Sequence, residues 1–299
     1  MLRTLSLVLL SSSAFAGSLS TPIVGGTDVP PGRWPDVVAV IGDLGACSGT
    51  LIAADLVLTA GHCIGIEPKT VVINSIDWTR PGGESRAVKW ARAYPEWQSH
   101  YDVGIVMLEN PVAVPPRAVA QYCSRSLVAD SRLQIVGFGL TTNAGTDANT
   151  RLHEASVPVV DATCTGNAAC EPSVAPGGEF TAGGHGVDAC FGDSGGPAFL
   201  DTKQGPALIG VVSRALADWT NPCGGGGVYV RADKVVAWIE RVSGRKLLRA
   251  PCDRPGDDAG EGEAGGCSAG SGVEAIFTLL YGALCIGALR RARRRRIAG

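Results

Sequence analysis

Short apolar runs separated by glycine, proline and asparagine dominate the chain. Runs at 37–41, 49–53, 56–60, 70–73, 87–93, 104–108, 133–138, 208–212 and 227–230 are the length of strands and rich in valine, isoleucine and leucine. No helical period is sustained before Asp233. From there Val235, Val236, Ile239 and Val242 recur on one face, with Asp233 placed to cap the first turn. Many short strands and one late helix predict an all-β domain over 23–248.

The two ends follow a different pattern. Residues 1–16 combine Arg3, an apolar core at 5–10 and an Ala14-Phe-Ala16 ending. This predicts a signal peptide cut before Gly17, because the apolar run is too short to span a bilayer; a buried first strand is the alternative. Residues 17–22 then form a short pro-segment. At the other end, 249–272 is rich in Gly, Ala, Asp and Glu and predicts a disordered linker. Residues 273–289 are just long enough for a transmembrane helix, and the Arg-rich tail 290–299 places its far end in the cytoplasm.

Composition narrows the classes. With 299 residues and 45% hydrophobic content the chain can bury a large core, and a net charge of -2 gives no basis for nucleic-acid binding. Ten cysteines behind an export signal predict disulfides. Structural zinc is the alternative, weakened by the absence of any CxxC pair. Around 65–77 only Glu67 and Asp77 offer carboxylates, so no metal is predicted, and no cofactor. The glycine run at 224–227 lacks a following Gly-Lys-Ser/Thr and reads as a loop, not a phosphate cradle.

Candidate chemistry centres on Asp188-Ala-Cys-Phe-Gly-Asp-Ser-Gly-Gly-Pro197. One hydroxyl, Ser194, stands between Gly192 and a Gly195-Gly196 pair. A tight loop of this kind can aim the N–H groups of Gly192 and Ser194 at one point, as an oxyanion requires. An ordinary glycine-rich turn is the plain alternative. A neutral serine needs a base, and the base needs an orienting carboxylate. Leu58-Thr-Ala-Gly-His-Cys63 supplies His62, and Asp102 opens the run that follows His100-Tyr101. His100, His153 and His185 sit in no comparable setting.

In order along the chain, Ile23-Val-Gly-Gly26, the Thr-Ala-Gly-His-Cys stretch, Asp102-Val-Gly-Ile-Val106 and Gly-Asp-Ser-Gly-Gly-Pro resemble the chymotrypsin/trypsin family of serine proteases. The resemblance implies two antiparallel six-stranded barrels, about 23–128 and 129–248, with the site between them, and polypeptide substrates. It implies Ser194 as nucleophile, His62 as base, Asp102 as its orienter, and Gly192 and Ser194 as oxyanion donors. It further implies that a cut before Ile23 frees an α-amino group that pairs with Asp193. Here the bond to be cut follows Pro22, so a separate activating protease is expected rather than self-activation by a basic-specific enzyme.

The same resemblance places Asp188 at the base of the specificity pocket, where a carboxylate favours Arg or Lys, and Gly227 on its wall. Ser213 would hydrogen-bond Asp102. Two departures stand out: Arg214 replaces a tryptophan and Ala215 a glycine, which implies reduced efficiency. The alternative for Asp188 is a solvated loop acid or an ion-pair partner of Arg214. Implied disulfides are Cys47–Cys63 and Cys190–Cys223. Cys170 substitutes for the usual partner of Cys164, whose place Thr181 occupies, and Cys252 is the remaining candidate for Cys123. Leu133 and Leu200 replace a further bridge by an apolar contact.

The order Gly-Gly-Cys267-Ser, short span, arginine cluster resembles the tripartite C-terminal sorting signals of myxobacterial secreted proteins. It implies a sorting protease and Cys267 as the processed or lipidated residue; a permanent single-span anchor is the alternative. Either way the protein is exported, to the periplasm, cell surface or outside, and at least transiently membrane-anchored. The functional expectation is a serine endopeptidase. An inactive protease-fold binding or adhesion protein is the other class, disfavoured by the intact Ser, His and Asp.

Overall fold

A computed structural model describes residues 22–121, 123, 127–216 and 221–252. In the first half, β2 (Val37–Gly42), β3 (Gly45–Ala53), β4 (Leu56–Thr59), β5 (Pro68–Ile73), β6 (Glu84–Ala93) and β7 (Gly104–Leu108) follow a two-residue strand β1 (Thr27–Asp28). Strands β2-β3-β4-β7-β6-β5 close into an antiparallel barrel, β5 returning to β2 through pairs such as Val40 with Val71. β7 is buried along its whole length, as its uninterrupted apolar run predicts.

The second half contains β8 (Val119–Gln121), β9 (Arg132–Gly137), β10 (His153–Asp161), β11 (Glu179–Ala182), β12 (Pro197–Thr202), β13 (Gly205–Ala215), β14 (Gly227–Arg231), helix α1 (Ala232–Ser243) and β15 (Arg249–Pro251). Strands β12-β9-β10-β11-β14-β13 form a second six-stranded ring, closed by β13 pairing back on β12. Closure removes sheet edges that would otherwise expose backbone donors and acceptors.

The expected division at 128 needs revision. β1 pairs with β10 and β8 pairs in parallel with β13 and β15, so 27–28 and 119–121 belong to the second sheet. The ordered domain also passes 248, where a linker was expected: β15 occupies Arg249–Pro251 beside β8, and Cys252 is buried. Nor is Asp233 the cap of α1. Arg231 occupies that position without a side-chain cap, and Asp233, in the first turn, accepts two hydrogen bonds of 2.8 Å from the Arg231 guanidinium. Gly244 ends the helix in the left-handed conformation, at φ 69°.

Between the barrels, Trp34 stacks on Phe199 with ring centroids 4.9 Å apart. Arg117, on the connection between barrels, grips buried Asp36 with two bonds of 2.7 and 2.6 Å and donates to the Pro206 carbonyl at 2.9 Å. Its guanidinium lies 4.6 Å from the Phe199 ring centroid. An apolar cluster continues from both barrels onto Val235, Trp238 and Ile239 of α1.

Four disulfides join Cys47 to Cys63, Cys123 to Cys252, Cys164 to Cys170 and Cys190 to Cys223, the expected pairs. Leu133 and Leu200 meet in one apolar cluster. No helix among the described residues is long and apolar enough to cross a membrane. The expected signal peptide, most of the pro-segment, the linker beyond 252, the span 273–289, the arginine tail and Cys267 lie outside the described residues.

Candidate active site

His62 opens a 3-10 turn, His62–Ile66, directly after β4, and the buried Cys63–Cys47 bridge fixes that turn to β3. Asp102 lies just before β7, the neighbour of β4, so barrel pairing carries the two residues together. The His62 main-chain N–H donates to Asp102 Oδ1 at 2.9 Å, and ring Nδ1 lies 2.8 Å from Oδ2. From β13 the Ser213 hydroxyl donates to Oδ2 at 2.7 Å. Burial alone would raise the Asp102 pKa. The hydrogen bonds and charge of His62, with the Ser213 hydroxyl, outweigh it and hold the carboxyl below its usual range. With Nδ1 engaged, Nε2 is the ring nitrogen left for proton transfer.

Ser194 is placed through its main chain. Its carbonyl accepts the Ser48 N–H at 2.9 Å and lies 3.6 Å from Sγ of Cys63, the residue beside His62. His62 and Ser194 are brought to one region without a hydrogen bond between their side chains, a looseness common before substrate binds. Only glycine fits at 195: a Cβ there would stand 2.0 Å from Thr59 Oγ1, and φ is 81°.

Around the loop, the Phe191 carbonyl is held by the Leu140 N–H at 2.8 Å, and the Asp193 N–H donates to Cys190 O at 3.0 Å. Among the described residues the N–H groups of Gly192 and Ser194 have no acceptor. Asp193 is buried, accepting N–H groups from Gly139 at 2.8 Å and Cys190 at 2.9 Å. No cation of the described residues pairs with it, and burial pushes its pKa up to about 7. Ile23 is 1% exposed, and the next residue, Val24, accepts the Asp188 N–H at 3.0 Å, so the start of the domain already lies against this loop.

Asp188 is also buried; its carboxyl accepts N–H groups from Ala189 at 2.8 Å and Gly226 at 2.9 Å. Burial raises its pKa to about 7. The buried Tyr229 hydroxyl has no partner among the described residues, and desolvation, then the nearby Asp188 and Asp193 charges, push its pKa well up. At Gly227 a Cβ would stand 3.3 Å from the Arg214 carbonyl oxygen and in ordinary van der Waals contact, 3.5 Å, with Asp188 Oδ1.

Arg214 is not the partner of Asp188. Its Nη2 meets fully buried Glu179 at 2.8 Å, its Nη1 donates to Ser213 Oγ at 2.9 Å, and its Nε to Ala169 O at 2.7 Å. Ala215, at the end of β13, is exposed. Sequence reading missed Glu179 because a lone acid in a short, glycine-flanked segment carries no sign of its partner. It also missed Gly139, whose N–H holds Asp193 from a distant loop.

Comparison with known proteins agrees with this geometry. The family model described as Trypsin matches residues 23–239. A trypsin of Saccharopolyspora erythraea is 34% identical over 230 residues, covering 70% of this chain and 92% of that protein. Human serine protease 56 is 32% identical over 257 residues, 78% of this chain but 40% of its own length. Drosophila melanogaster protein masquerade is 30% identical over 261 residues, 77% of this chain and 24% of that protein. The chain thus spans about 40% of the length of serine protease 56 and nearly all of the bacterial trypsin. Matched along most of its length and closed into the same paired barrels, the chain belongs to the trypsin family of serine proteases.

Proposed function

We propose that this chain is an exported serine endopeptidase that hydrolyses peptide bonds after Arg or Lys. The observation that carries the reading is the Asp102 carboxylate, buried and bonded at once to the His62 main chain, the His62 ring and Ser213, which leaves Nε2 free beside the Ser194 segment. In this reading His62 takes the Ser194 proton as Oγ attacks the carbonyl carbon. Asp102 fixes the imidazole tautomer and stabilises the imidazolium, while the Gly192 and Ser194 amides hold the oxyanion. The protonated imidazole then gives its proton to the leaving amine, and water repeats the cycle on the acyl-enzyme.

Asp188 supports the basic preference. A carboxylate walled from water, with Tyr229 behind it and Gly227 beside it, gains from a cationic partner more than an exposed one would. Asp193 supports activation by a cut before Ile23: the freed α-amino group would supply the cation that this buried carboxyl lacks. An activating protease that accepts Pro22 on the acyl side, a sorting protease acting near Cys267 and a membrane anchor at 273–289 complete the proposal for the whole chain.

Profiling chain processed at Ile23 on a peptide library tests the specificity. Cleavage after Arg and Lys is expected. A preference for small apolar residues before the cut bond would remove the role given to Asp188, and the absence of any cleavage would favour a binding or adhesion protein.

A further inference from the structure

Ser48, on β3 of the first barrel, lies between the active-site loop and the second barrel and is fully buried. Its main-chain N–H donates to the Ser194 carbonyl at 2.9 Å, and its Oγ donates to the Gly192 carbonyl at 2.8 Å. The same Oγ accepts the Phe138 N–H at 3.0 Å, and the Ser48 carbonyl accepts the Thr59 hydroxyl at 2.8 Å. One residue therefore holds the carbonyls on both sides of Asp193, and ties them to β4 and to the start of the 138–150 loop.

A serine hydroxyl has one hydrogen to give. Because the Phe138 N–H can only donate, it occupies a lone pair of Oγ and leaves the hydroxyl hydrogen for Gly192 O. Gly192 O belongs to the Gly192–Asp193 peptide, so the hydroxyl fixes the plane that lies between the peptides carrying the Gly192 and Ser194 N–H groups; the φ of Gly192 is 95°. The peptide before it is held by the Leu140 N–H on Phe191 O. That bond sets the direction of the Gly192 N–H, while Ser48, holding Gly192 O and Ser194 O, braces the Asp193–Ser194 peptide that carries the Ser194 N–H. Without the hydroxyl the Gly192–Asp193 plane can turn about the Gly192 Cα, where a glycine has other ψ values open to it, and the adjoining Asp193–Ser194 peptide and its N–H turn with it.

We propose that Ser48 is a positioning residue for the oxyanion site: its hydroxyl holds the Gly192–Asp193 peptide, which joins the two oxyanion donors, so that the Gly192 and Ser194 N–H groups converge on the tetrahedral intermediate. This rests on Ser194 being the nucleophile. Ser48→Ala leaves a methyl group where the hydroxyl stood, so Gly192 O and the Phe138 N–H both lose their partner in a space closed to water. Ser48→Gly opens room there for a water that can accept from Phe138 and donate to Gly192 O. The smaller residue should therefore be the milder change.

The test compares the wild type, Ser48→Ala and Ser48→Gly, each processed at Ile23, with two inhibitors sharing one peptide. One ends in an aldehyde, which adds to Ser194 and places an oxyanion; the other ends in the corresponding alcohol, which cannot. Ser48→Ala should lower kcat about tenfold or more with KM within about twofold. It should weaken the aldehyde by the same factor and leave the alcohol unchanged, and Ser48→Gly should recover most of the loss. Wild-type kcat in Ser48→Ala, or equal weakening of aldehyde and alcohol, would overturn the inference while leaving the endopeptidase intact. A wild-type chain that neither turns over peptide nor binds the aldehyde would overturn both.

Discussion

His62 is bonded to Asp102 twice, by main-chain N–H to Oδ1 at 2.9 Å and by ring Nδ1 to Oδ2 at 2.8 Å. The two contacts lock both the position and the tautomer of the ring. Asp102→Asn keeps the shape but can present an N–H to Nδ1, which favours the tautomer that cannot accept a proton at Nε2. A fall in kcat of about 10⁴-fold near neutral pH is expected, the size this change has in the family's type enzyme, with KM little altered. Steady-state kinetics on any cleaved peptide checks it; a loss confined to KM would mean that Asp102 only shapes the binding site.

Asp188 gives a second, pH-dependent expectation. With its carboxyl raised to about 7 by burial, the pocket base is neutral at pH 6 and ionised at pH 8. Attraction for a cationic side chain is present above about 7 and lost as pH falls through it. The ratio of kcat/KM for an arginine peptide to that for its citrulline analogue should therefore fall toward tenfold per pH unit below about 7. Taking the ratio cancels the protonation of His62, common to both substrates. A flat ratio from pH 8.5 to 5.5 would place the cation elsewhere.

Asp193 ties pH to processing. A carboxyl whose folded pKa stands above its unfolded value holds its proton more tightly in the folded chain. Asp193, moved from 3.8 to about 7 by burial, therefore makes the uncut protein lose stability as pH rises from about 4 to about 7. A free Ile23 amino group would pair with the anion and remove that loss. In a Ser194→Ala background, thermal unfolding at pH 8 should show a higher Tm after the cut than before it, and the gap should narrow at pH 5. An equal gap at both pH values would separate Asp193 from activation.

The Cys123–Cys252 bridge closes the longest loop of the four, with a sequence separation of 129, and fastens β15 beside β8. Chain-entropy reasoning gives it the largest share of the disulfide stabilisation, about 5 kcal/mol. Cys123→Ala/Cys252→Ala should lower Tm by roughly 10–20 °C by that reasoning, with kcat and KM unchanged because neither β8 nor β15 carries a residue of the candidate site. Differential scanning calorimetry and kinetics on the same sample check both halves.

Much of this architecture was legible in the chain because the barrel strands are continuous apolar runs: β7 coincides with the run 104–108. β10 and β11 were harder. Each buries an acid, Glu154 or Glu179, whose partners Trp34 and Arg214 are far away in sequence, and β10 also carries Pro158. A polar residue reads as exposed until its distant partner is known. β8 and β15 escaped notice because three-residue strands that pair in parallel have no turn between them to announce the pairing. The residues of the candidate site were legible for the opposite reason: Thr-Ala-Gly-His-Cys and Gly-Asp-Ser-Gly-Gly are dense local patterns. Ser48 was not, since its importance lies wholly in which carbonyls its neighbours in space present.

Labelling by a serine-directed organophosphorus reagent tests the central claim most directly. In chain beginning at Ile23, one equivalent should attach to Ser194, located by mass spectrometry of the digested protein, and peptide turnover should cease in step with labelling. Ser194→Ala should neither label nor cleave. Attachment at another serine, or turnover by the alanine variant equal to wild type, would contradict the account.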